Sequence, residues 1–124
     1  MDSVSDRPKL RMTWARMFPD ALLAHTQGLS DVATAAYLRF WCHYVKLGQP
    51  VADNAIVLSR VSGISPRRWR SVRQEWIDAG VVKRVGKGLL RDDFAEAQIA
   101  YFRSRSETNR RNVGRRWTGK VEDA

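Results

Sequence analysis

A mainly α-helical fold with one small β-hairpin is predicted by three features of this sequence. Apolar residues recur at helical spacing from Asp31 to Leu47. A second helical pattern follows a tight turn at Ser62-Gly63. Two short β-favouring runs, Val81 to Val85 and Leu89 to Arg91, flank Gly86-Lys87-Gly88.

Taken in order, residues 1–10 (MDSVSDRPKL) are polar and lack periodicity, which reads as a mobile arm. Residues 11–17 alternate around Met12, Trp14 and Met17 and read as a short strand. Pro19-Asp20 starts a helical turn through Leu22 and Leu23, and Gly28 breaks it. Leu29-Ser30 places an apolar residue before an N-cap, so a long helix should begin at Asp31. This helix holds Val32, Ala35, Ala36, Tyr37, Leu38, Phe40, Trp41, Tyr44, Val45 and Leu47, and it is expected to be the central core helix. Gly48 should end it, and Pro50 cannot continue it. Asp53 is then placed to cap a helix from Asn54 to about Val61.

The stretch from Val57 to Gly80 reads as two helices around a turn. The first draws on Ile56, Val57 and Leu58. The second opens at Ser65, an N-cap followed by Pro66 at the first helical position, and closes at Gly80. At 100° per residue, Trp69, Val72, Trp76 and Ala79 share one face and are expected in the core. Arg67, Arg70, Ser71 and Gln74 share the opposite face. Guanidinium and carboxamide groups have the donor and acceptor geometry to pair with guanine and adenine edges in a major groove, so these four are candidate base readers. A solvated face is the plainer alternative. Helix, turn, helix and hairpin in this order make a winged helix-turn-helix. Its hairpin cations Lys83, Arg84, Lys87 and Arg91, with Arg68 and Arg73 at the edge of the apolar face, are candidate phosphate contacts. Residues 63–91 hold eight Lys/Arg against two acidic residues, so this stretch supplies most of the chain's net +9.

Asp92 or Asp93 should cap a last helix on which Phe94, Ala97, Tyr101 and Phe102 lie together, with Ile99 at the margin. The composition then changes. Residues 103–120 carry seven basic residues and one acidic residue, with only Val113 and Trp117 as sizeable apolar groups. The last helix has room to run on for a turn or two, but Gly114 and Gly119 add to the expectation of a disordered tail over 103–124, in which Arg110, Arg111, Arg115 and Arg116 would contact a polyanion. Trp117 could instead anchor a docking peptide on a replication or transcription protein. The predicted organisation is thus an arm at 1–10, one domain at 11–102 and a tail at 103–124.

With 124 residues, a net charge of +9 and a pI near 10.6, the chain favours a polyanionic partner. No apolar run reaches the length of a membrane span, and the N-terminus lacks a signal-peptide pattern, so a cytoplasmic location without membrane contact is expected. A single cysteine, Cys42, excludes an intrachain disulfide and fits a reducing compartment. Cys42-His43 and His25 lack further ligands at metal spacing, and Asp92-Asp93 is better explained by capping than by paired catalytic acids. There is no glycine-rich phosphate loop followed by lysine and serine or threonine. No cofactor, metal or enzymatic activity is therefore expected. Trp41, Trp69 and Trp76 sit at core periodicity and read as structural, which leaves Trp14 and Trp117 open to a partner.

The segments Leu29-Ser30, Ala36-Tyr37-Leu38-Arg39, Cys42-His43-Tyr44, Val61 to Trp69 and Arg115-Arg116-Trp117 together resemble a winged-helix family of phage, prophage and bacterial proteins associated with replication initiation or primosome assembly. The likeness runs over residues 12–117. It departs from the family pattern at Ala36, where glycine is more usual, and in having no long extension for helicase or loader contact. The resemblance implies duplex DNA as partner and replication initiation at an origin as the role. Promoter binding by a transcription regulator is the alternative, and a protein- or RNA-interaction module is a third reading.

Overall fold

In a computed structural model, residues 18–122 are described, with side chains through residue 114. The expectations for residues 1–17 and for the side chains of Arg115, Arg116 and Trp117 lie outside this range. Five helices and three short strands follow in the order α1 (Pro19–Thr26), α2 (Asp31–Leu47), β1 (Val51–Ala52), α3 (Ala55–Ser62), α4 (Pro66–Asp78), β2 (Lys83–Val85), β3 (Leu89–Arg91) and α5 (Asp93–Glu122).

The axis of the molecule is α2, which packs against α3, α4 and α5. Ser30 caps it by accepting from the amide of Ala33 at 3.2 Å, and Gly48 ends it with φ +74°, donating to the carbonyl of Tyr44. Its inward side is a ladder of Ala33, Ala36, Tyr37, Phe40, Trp41, Tyr44 and Val45, all buried. The aromatic core continues into α4, where the Trp76 ring lies 5.0 Å from Phe40, 5.9 Å from Tyr37 and 5.2 Å from Trp69. Offset and edge contacts of this kind add to the stabilisation from area buried alone. Three aromatic polar ends find partners: Trp76 Nε1 donates to the Ala33 carbonyl at 3.0 Å, Trp41 Nε1 to Gln98 Oε1 at 2.6 Å, and Tyr44 Oη to Glu96 at 2.6 Å.

The hairpin of β2 and β3 turns at Gly86 and Gly88, whose φ values of +53° and +73° suit glycine. A third strand, β1, was not expected. It pairs antiparallel with β3 through Val51–Leu90 and Ala52–Leu89, giving the order β1-β3-β2. Two residues after a proline give no readable period, so only the pairing partner reveals it.

Several expectations need correction. Asn54, not Asp53, caps α3, with Oδ1 accepting from Ile56 and Val57 at 3.0 and 3.1 Å. Asp53 is turned toward α4 instead. On α3 only Leu58 of the three expected apolar residues is buried, since Ile56 and Val57 are 60% and 48% exposed. The fourth helix stops at Asp78, and Ala79 is exposed beyond its last turn. On α5 the inward residues are Ala95, Gln98 and Ile99, while Ala97 and Tyr101 are exposed and Phe94 and Phe102 half-buried. The expected face was rotated because it was drawn through the largest side chains. The actual face accepts an alanine and a glutamine to let α5 approach α2.

α5 also runs through Arg103 to Glu122, well beyond the one or two further turns expected before a disordered tail. Composition shows that this stretch has little to bury beyond Val113 and Trp117. It did not preclude a helix, because no proline interrupts it and a helical glycine costs only about 1 kcal/mol relative to alanine. Among the described residues, no helix is long and apolar enough to cross a membrane.

Candidate nucleic-acid interface

The orientation of α4 is fixed at several points. Ser65 Oγ accepts from the Arg68 amide at 3.3 Å, and Pro66 occupies the first turn, where its missing N–H has no helical partner to lose. Trp69, Val72 and Trp76 bury the inner face. Near the C-terminal end, Glu75 accepts from both the amide and the hydroxyl of Ser30, the latter at 2.9 Å, which joins α4 to the start of α2. On the other flank, the Arg73 guanidinium grips Asp53 through Nε at 2.9 Å and Nη2 at 2.5 Å. That bond raises the Arg73 pKa further, against the opposing effect of burial. Arg73, a candidate phosphate contact from the sequence, is thus engaged by Asp53 at the β1–α3 junction.

The outer face carries the four predicted readers together. Arg67, Arg70, Ser71 and Gln74 are all exposed and line one open groove of about 850 Å³, bordered by Gly28, Glu75 and Asp78. Among the described residues, the guanidinium groups of Arg67, Arg68 and Arg70 have no ion-pair partner. Charge is graded along the helix: Arg67, Arg68 and Arg70 fall in its first half, Arg73 just past the middle, and Glu75 and Asp78 toward its end. The helix dipole is positive at the same end, so both effects favour an anion there.

The α3–α4 turn is compact because Gly63 takes φ +73°, donating to the Arg60 and Ser59 carbonyls. A side chain at this position would also meet the Arg39 guanidinium of α2, with Nη1 at 3.0 Å from where a Cβ would sit.

The hairpin cations divide into two pairs. The β2–β3 register puts Lys83 opposite Arg91, two like charges side by side. Asp93, at the start of α5, offsets them by accepting from Lys83 Nζ at 2.9 Å and Arg91 Nε at 2.7 Å. These two bonds, Lys83 first, pull the Asp93 carboxyl below its usual value, and the Arg91 pKa is raised in turn by Asp93. Arg84 and Lys87 are exposed, with no described ion-pair partner. The hairpin itself holds no acid, and the two-residue step from Arg91 to Asp93 is the sequence signal for this pairing. On the α5 extension, Arg110 and Arg111 are exposed.

A buried polar network lies behind the hairpin. Asp92, fully buried, caps α5 by accepting from the Ala95 amide at 3.2 Å and accepts the Tyr37 hydroxyl at 2.5 Å. Burial, then the Asp92 charge, pushes the Tyr37 pKa far up, so this hydroxyl stays a donor. His25 Nε2 is 3.4 Å from Asp92, and its ring stacks on Phe94 at 4.7 Å. The network ties α1, α2 and α5 together. Sequence reasoning gave His25 no carboxylate partner because 67 positions separate it from Asp92. On α2, Cys42 is exposed, and His43 has its pKa lowered by burial and then by Lys46.

No protein-family model, curated protein or solved structure matches this chain.

Proposed function

We propose that this chain is a winged helix-turn-helix protein that binds double-stranded DNA, with α4 in the major groove and the β2–β3 hairpin as a wing over the flanking backbone. The observation that carries this reading is the outward stripe of Arg67, Arg70, Ser71 and Gln74 on a helix anchored along its inner side. Bidentate donors on a rigid element are what base readout requires. Arg84 and Lys87 on the wing, Arg68 beside the groove, and Arg110 and Arg111 on the α5 extension supply phosphate contacts that add affinity without sequence preference. The resemblance to phage-type replication proteins makes initiation at an origin the favoured role over promoter regulation.

Fluorescence anisotropy on a labelled duplex tests the reading. Binding should weaken steeply as salt rises, with log K falling linearly in log salt, and Arg67→Ala/Arg70→Ala should abolish preference for a selected site over a scrambled one. Failure to bind duplex DNA at low salt would overturn it.

A further inference from the structure

A carboxamide that offers one donor beside one acceptor matches, in the major groove, the N7 acceptor and N6 donor of adenine. Gln74 is the only carboxamide on the outward stripe. Its Nε2 donates to Asp78 Oδ1 at 2.7 Å, one helical turn further on. A carboxylate can only accept, so the amide nitrogen must face Asp78 and Oε1 must face away from it. The second N–H of the amide is still available to a base.

Asp78 follows Arg67 by eleven residues, which at 3.6 residues per turn keeps it in line with Arg67 and Gln74, and it borders the same groove. We infer that Gln74 is an adenine-reading residue and that Asp78 is its positioning residue. This inference rests on α4 being the groove-reading helix. The bond to Asp78 restricts a side chain that would otherwise lose rotamer freedom on binding, and it fixes which end of the amide donates. The Asp78 charge acts a second way. It repels phosphates at the end of the stripe, lowering affinity for unselected DNA and so widening the gap between right and wrong sites.

Selection of the full chain against a randomised duplex library tests both roles. The parent should enrich adenine at one position by roughly 5- to 150-fold. Gln74→Ala should flatten that position and leave the others. Asp78→Ala should reduce the adenine preference while raising affinity for unselected duplex at low salt. Asp78→Asn keeps an acceptor oxygen without the charge, so it should retain the preference and still bind unselected duplex more tightly. Unchanged thermal melts would show that all three variants, altered only at exposed positions, keep the fold. A Gln74-dependent position selecting another base, or full adenine preference in Asp78→Ala, would overturn the inference while leaving DNA binding intact. A parent that binds duplex but enriches no sequence would overturn base reading by α4, and this inference with it.

Discussion

Two basic regions of this molecule manage their charge in opposite ways. On α4 the arginines that point outward have no acidic partner among the described residues, and the acids nearby bond elsewhere: Glu75 to Ser30 and Asp78 to Gln74. In the hairpin, two of four cations converge on Asp93. The helix is rigid in placement and open in charge, whereas the hairpin stabilises its own pairing with part of its charge. On a DNA-binding reading this separates the work: α4 supplies discrimination, and Arg84 with Lys87 supplies affinity.

The strongest way to break this contrast is to release α4 from its seat. Trp76→Ala should cost about 3–5 kcal/mol of stability, a large part of the total for a domain of this size. A melting temperature within error of the parent would show that α4 is not anchored as described. Arg73→Ala should cost about 1–3 kcal/mol, since it removes a charged two-point bond and leaves Asp53 without it; urea denaturation reads this directly.

Smaller changes sharpen the comparison within the hairpin. Lys87→Ala should lower the salt slope of DNA binding by about one unit, because an unpartnered ammonium releases a counterion when it meets a phosphate. Lys83→Ala should lower it by less, its charge being already balanced by Asp93. Equal slopes for the two variants would erase the distinction between them. Smallest is the effect of Asp93 on folding. Its pKa is depressed in the folded chain, so the stability from its pairs is full above the unfolded carboxylate value, near pH 4, and is lost as pH falls through the lower folded value. Asp93→Asn should therefore be less stable than the parent by about 0–1 kcal/mol at neutral pH, with the gap closing as pH falls through the depressed folded value.

Much of this architecture was legible in the sequence because it depends on local signals. Ser30, Ser65 and Gly48 cap the helices they were expected to cap, and the apolar period placed Trp41, Trp69 and Trp76 in the core. The outward positions of Arg67, Arg70, Ser71 and Gln74 follow from the same period. What escaped depends on partners far apart in the chain. Asp53 looked like a cap until Arg73, twenty residues on, was seen to hold it, and Lys83 looked available until α5 brought Asp93 beside it. Side-chain size misled on α5, where Ala95 and Gln98 face inward and Tyr101 faces out. Charge pairing and close helix approach are tertiary facts, and a single sequence records them only weakly.

The most direct measurement compares losses on two duplexes. Arg70→Ala and Lys87→Ala would each be titrated against a selected site and a scrambled duplex of equal length and salt. Arg70→Ala should lose about 1–3 kcal/mol on the selected site and much less on the scrambled one, while Lys87→Ala should lose the same on both. Equal losses on the two duplexes for Arg70→Ala would contradict the assignment of base reading to α4.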